Sequence, residues 1–154
     1  MKAEFINPFL SSLVEVLKTM AQIDLEPGEP DKKTEDIASG DVSGVIGMVG
    51  PQIKGSLAIT VEKSLALHIY SNMLGESIEE IDTQVKDMIG EITNMVCGGA
   101  KRILGENGYE FELATPTIIS GQGHEIHHKV SGPKLIMPFI SNFGKAYIEI
   151  CFDK

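Results

Sequence analysis

One segment constrains everything else this chain can fold into. Between Thr83 and Leu104, the residues Val85, Met88, Ile89, Ile92, Met95, Val96, Gly99 and Ile103 recur at helical spacing. At a helical period they form one continuous apolar stripe, which needs a broad apolar surface to lie on. Asp82 precedes the run as an N-cap, and Gly105 follows it as a stop. The chain is 154 residues long, the size of one domain able to bury a proper core. The methionines of the stripe read as core filler rather than as a cofactor box.

The surface comes from alternating segments. Ile53, Gly55, Leu57, Ile59 and Val61 alternate with Lys54, Ser56, Ala58 and Thr60, which predicts a half-buried strand. Residues 42–49 are apolar and Gly50-Pro51 marks a turn, so 42–61 reads as a hairpin. Further strands are expected over 109–119, 124–130, 134–141 and 145–152, with Pro138 marking its strand as an edge or bulged. Asn7 as N-cap and Pro8 at the first helical position predict a helix ending near Gln22. A shorter helix is expected over 63–74, stopped by Gly75. Residues 24–40 hold Pro27, Gly28 and Pro30 and read as an internal loop. The expected fold is α/β (α+β), a mostly antiparallel sheet of about six strands with three helices packed on one face. Residues 1–154 are read as one domain.

Charge excludes several partners. Thirteen Lys and Arg stand against 22 Asp and Glu, a net charge of −9. A nucleic-acid backbone binder or a basic membrane-surface helix needs the opposite balance. Cys97 and Cys151 are too few for a disulfide framework and point to a reducing compartment. No apolar run approaches the ~18–20 residues of a membrane span. The opening Met1-Lys2-Ala3-Glu4, with Asn7 and Pro8 close behind, is unlike a signal peptide. The expectation is a soluble, cytoplasmic, acidic domain with no nucleic-acid and no membrane partner.

The second stripe of the long helix is unusual. Gln84, Asp87, Glu91, Asn94 and Gly98 share one face, away from the apolar one. Glu91 and Asn94 are three apart and so are neighbours. Asn is a weak helix former, and Gly costs ~1 kcal/mol against Ala. Close packing on the apolar face would account for Gly99, but not for Gly98. A bare Gly98 would let a partner's backbone approach the Asn94 amide. The residues alone leave two readings open: a solvated polar face with incidental glycines, or a partner surface.

Other motifs carry less. His124-Glu125-Ile126-His127-His128 matches the zincin pattern H-E-x-x-H, which works only on a helix. Gly121, Gly123, Gly132 and Pro133 bracket the segment and leave no room for one. Exposed imidazoles on a hairpin are the expectation, with no metal site. Gly50-x4-Gly55-Ser56 lacks the lysine and the following helix of a phosphate-binding loop. Lys101 and Arg102 fit compensation of the helix dipole.

The segment Asp87-x-x-x-Glu91-x-x-Asn94, with Pro116 at the start of a strand, resembles the signature of the CheC/CheX/FliY chemotaxis phosphatases. The opening Asn7-Pro8-Phe9 helix, the order of elements and the single helical copy of the motif resemble the CheX branch. The resemblance implies hydrolysis of the aspartyl phosphate of a CheY-type response regulator, a homodimer and a cytoplasmic location. It also implies no cofactor of the phosphatase's own, the Mg²⁺ being bound by the regulator. In that chemistry Asn94 would hold the attacking water in line, since an amide both donates and accepts. Glu91 would pair with a cation of the regulator and fix the register of Asn94. Gln84, Asp87 and Gly98 are the further partner-binding candidates, with Asp87 open between extending that contact and staying solvated. The alternative is a non-catalytic regulator-binding or flagellar-switch-binding domain of the same fold.

Overall fold

The computed structural model describes residues 3–153; Met1-Lys2, on which the signal-peptide reading partly rests, lies outside them. Helix α1 spans Ala3–Ala21, α2 Lys63–Leu74 and α3 Thr83–Glu106. The strands are β1 Glu26–Pro27, β2 Asp31–Lys33, β3 Val42–Val49, β4 Lys54–Val61, β5 Glu112–Leu113, β6 Thr117–Ser120, β7 Lys134–Ser141 and β8 Gly144–Phe152. All pair antiparallel, in the order β1-β7-β8-β4-β3-β5. Strand β2 shares the β1 side of β7, and β6 shares the β5 side of β3. The eight strands therefore fill six lanes, which reconciles them with the expected sheet.

Register sorts the sheet's two faces. Val42, Ile46 and Met48 of β3 stand opposite Val61, Leu57 and Gly55 of β4. Val61, Ile59 and Leu57 in turn face Ala146, Ile148 and Ile150 of β8. Residues directly opposite one another share a face. This apolar face carries all three helices and the main core, with Phe9, Leu13 and Leu17 of α1 and Val85, Ile89 and Val96 of α3 fully buried. Each such side chain contributes roughly 1.5–3 kcal/mol by leaving water.

The second face departs from expectation. Ser56, Ala58 and Thr60 of β4 are buried, so the strand is not half-buried. No strand forms over 124–130; the segment 121–131 crosses this face as a loop, bridging to the 34–38 stretch at Ile37–Glu125. Ile126, Ala38 and Ala58 make a small second core there. The alternation of β4 did not announce this cover, because Ser, Ala and Thr serve a solvated face or a small-residue interface equally well.

Four other expectations are corrected. Helix α1 is already formed at Ala3, so Asn7 is not its N-cap and Pro8 lies inside it. Burial of Phe5 in an aromatic cluster with Phe9, Tyr109, Phe111 and Phe152 recruits the earlier turn. Strand β7 is not an edge: β8 flanks one side, β1 and β2 the other. Pro138 sits opposite the break between β1 and β2, and its carbonyl accepts from the Gly28 amide at 2.8 Å. Its nitrogen therefore also faces that side, where the β1 pairing ends, and the ladder with β8 loses no bond. The 109–119 strand is split into β5 and β6 around Pro116, and residues 24–40 contribute β1 and β2 rather than loop alone.

Helix α3 begins as expected, with the Asp82 carboxylate accepting from the Val85 amide at 3.0 Å. Such a cap contributes about 1 kcal/mol. It runs past Gly105 to Glu106, with Asn107 as C-cap. Two glycines set its position. A Cβ on Gly99 would lie 2.6 Å from Ser12 Oγ of α1, which is itself bonded to the Val96 carbonyl at 2.8 Å. A Cβ on Gly44 of β3 would collide with the Thr93 hydroxyl, so the bare backbone lets α3 settle onto the sheet beside Asn94.

Candidate functional site

The polar stripe of α3 is exposed along its length: Gln84, Asp87, Glu91, Asn94 and Gly98 all face solvent. Their neighbours Met88, Ile92, Thr93, Val96 and Cys97 are buried. The polar groups thus stand on a helix anchored along its opposite side. Thr93 turns its hydroxyl inward to the Ile89 carbonyl at 2.8 Å, and Asn94 follows it on the outer face. Among the described residues no side-chain hydrogen bond engages Asn94, and no ion pair reaches Asp87 or Glu91. The paired cations of the helical layer are used elsewhere, Lys63 on Glu80 at 3.0 Å, Lys101 on Glu112 and Arg102 on Glu106 at 3.6 Å.

Gly98 and Gly99 separate as the sequence suggested. Gly99 packs on Ser12, whereas a Cβ on Gly98 would meet nothing within 4 Å. Nothing among the described residues requires a glycine at 98. Pro116 immediately precedes β6, whose Ile118 packs against Gly90 of α3. Pro116 itself is half-buried.

Gln84 is partly engaged. Its Oε1 accepts from the Tyr70 hydroxyl of α2 at 2.7 Å. Burial and the neighbouring Glu76 push the Tyr70 phenol up, so it stays protonated and donates. Sequence reasoning missed this contribution of α2. Tyr70, Met73 and Leu74 close the other side of a hollow of about 350 Å³ that α3 walls with Gln84, Asp87, Met88 and Glu91. The signal was available as an exposed apolar end to a short helix, at Met73-Leu74-Gly75.

Two competing chemistries lack the necessary geometry. Cys97 follows Val96 on the inner side of α3, and burial pushes its thiol up to about 12, so it is no thiolate nucleophile at neutral pH. The histidines of the H-E-x-x-H match do not converge. His124 reaches Ser43 at 2.6 Å, His127 reaches Glu125 at 3.0 Å, and His128 reaches Ser56 at 2.8 Å and Glu149 at 3.2 Å. The expected exposed imidazoles are therefore corrected for His128, whose side chain is 2% exposed beneath the loop. Among the described residues, no three of His, Cys, Asp and Glu are placed to hold one metal ion. No helix among them is long and apolar enough to cross a membrane.

The comparisons with known proteins agree with this frame. A curated relative from Thermotoga maritima, named CheY-P phosphatase CheX, is 28% identical over 151 residues, covering 97% of this chain and 95% of that protein. The crystal structure of chemotaxis protein CheX from Vibrio vulnificus is 58% identical, covers 98% of this chain and 100% of its own, and superposes with a TM-score of 0.91. A CheX-CheY-BeF3-Mg²⁺ complex from Borrelia burgdorferi is 26% identical, covers 99% and 100% of the two chains, and gives a TM-score of 0.80. The family described as chemotaxis phosphatase CheX matches residues 42–140, which hold the hairpin, α2, α3 and most of β7, and the chain belongs to that family.

Proposed function

We propose that this chain hydrolyses the aspartyl phosphate of a CheY-type response regulator, and that the outer face of α3 does the work. The observation that carries the reading is the pair Glu91 and Asn94, exposed on an anchored helix and without side-chain hydrogen-bond or ion-pair partners among the described residues. An acyl phosphate is already activated, so the deficit is a positioned water and charge stabilisation. The Asn94 amide accepts one hydrogen bond from a water and donates another, holding its oxygen in line with phosphorus. Glu91, one turn earlier, takes a cation of the regulator and sets where Asn94 lands. Gly98 leaves room for the regulator's backbone on the far side of Asn94. Asp87 and Gln84 extend the docking face toward α2.

The phosphatase supplies no metal in this scheme. The Borrelia burgdorferi complex contains Mg²⁺ together with CheY and BeF3, consistent with a metal that travels with the regulator. Residues 1–154 act as one CheX-like unit, working in the cytoplasm as a homodimer.

The test is a phosphorylated CheY-type regulator timed with and without the protein. Faster phosphate loss at substoichiometric protein supports an enzyme. Binding without turnover would instead make the chain an adaptor, the alternative reading of the same fold.

A further inference from the structure

The hollow between α2 and α3 is continuous with the proposed site. Glu91 forms one of its walls and stands one helical turn from Asn94. Its apolar part is Met73, Leu74 and Met88. Leu74, the last residue of α2, is 54% exposed. Gly75 then turns away at φ 72°, and no atom lies within 4 Å of where its Cβ would stand. A lone exposed leucine would mean little, but here it joins two methionines in a concave surface. Methionine side chains adapt their shape to an incoming group.

The charge of the hollow is one-sided. Its ionic lining is Asp87 and Glu91, four apart on α3, where like charges repel. Glu76 lies at its Tyr70 edge, 3.4 Å from the hydroxyl. Tyr70 donates to Gln84 Oε1 at 2.7 Å and thereby ties α2 to α3 at the edge of the hollow. An acidic occupant is therefore excluded, and an apolar one accompanied by a cation is complementary.

We propose that this hollow is the specificity subsite of the docking face, and that it receives an apolar side chain of the phosphorylated regulator lying beside a basic residue. The proposal rests on the reading that α3 meets the regulator. Glu91 and the hollow then give two separate points of attachment, which fix orientation as well as distance. The occupied hollow binds the ground state and the transition state alike, so its loss raises KM and spares kcat.

Steady-state turnover of a phosphorylated CheY-type regulator tests this with Leu74→Glu, Leu74→Met and Asp87→Asn. Leu74→Glu should raise KM about tenfold with kcat within about twofold of the parent, and Leu74→Met should restore KM. Asp87→Asn should raise KM about threefold and flatten its dependence on salt. Unchanged KM in Leu74→Glu, or a fall in kcat alone, overturns the subsite. An unchanged salt dependence in Asp87→Asn overturns its basic neighbour. The parent protein in the same assay reports on the underlying phosphatase reading separately, because it turns over whether or not the hollow matters.

Discussion

Two glutamates show how differently one side chain can be used in a fold of this size. Glu149 lies on the second face of the sheet with its side chain 1% exposed, between Lys33 at 5% and His128 at 2%. Its Oε2 pairs with Lys33 Nζ and its Oε1 lies 3.2 Å from His128 Nε2, while His128 Nδ1 continues the chain to Ser56. Glu91 lies exposed on α3 with no ion-pair or hydrogen-bond partner for its side chain among the described residues. Burial of a carboxylate is tolerable only with such complete pairing. The Glu149 network spends its hydrogen-bonding capacity inside the molecule and ties β2, β8 and the 121–131 loop together. Glu91 keeps its capacity for another molecule.

The comparison breaks most visibly at Glu149. Glu149→Ala strands a buried ammonium and should cost about 3–5 kcal/mol. A thermal melt should show a fall of roughly 10 °C. Below the melt, turnover should be unchanged, because the network does not touch α3's outer face. Glu91→Lys should do the reverse. Charge reversal at the docking face should raise KM roughly thirtyfold, about 2 kcal/mol, with the melting temperature unmoved. The adjacent glycines sharpen the contrast at smaller scale. Gly99→Ala pushes a Cβ toward Ser12 Oγ, 2.6 Å away, and should destabilise by about 1–2 kcal/mol. Gly98→Ala has open space and should stabilise α3 by up to ~1 kcal/mol while slowing phosphate release. Urea titrations paired with turnover assays read both.

The two regions were unequally legible in the sequence. Both faces of α3 were readable, because helical period separates Val85, Ile89 and Val96 from Asp87, Glu91 and Asn94 without reference to the rest of the chain. The bounds of α2 and β7 followed from Gly75 and from the apolar run after Pro133. The Glu149 network was not readable. Its members come from β2, β4, the 121–131 loop and β8, and the pairing of Lys33 with Glu149 spans 116 residues. On β8, Glu149 alternates with Ile148 and Ile150 just as a solvated residue would. The cover over the second face has no period of its own, so nothing local marked His128 as buried. The hollow between α2 and α3 was missed for a related reason: Tyr70 and Gln84 meet only after two helices have packed.

The central claim is that Asn94 performs the chemistry while its neighbours hold the regulator. Asn94→Ala tests it most directly, with complex formation and phosphate loss followed in the same titration against a phosphorylated CheY-type regulator. Removing a group that orients the nucleophile should cost at least about a hundredfold in kcat. The regulator's affinity for the variant and the variant's melting temperature should stay within about twofold and about 2 °C of the parent, since Asn94 is exposed and, among the described residues, no side-chain hydrogen bond engages it. Phosphate release at the parental rate by the Asn94→Ala protein would contradict the account.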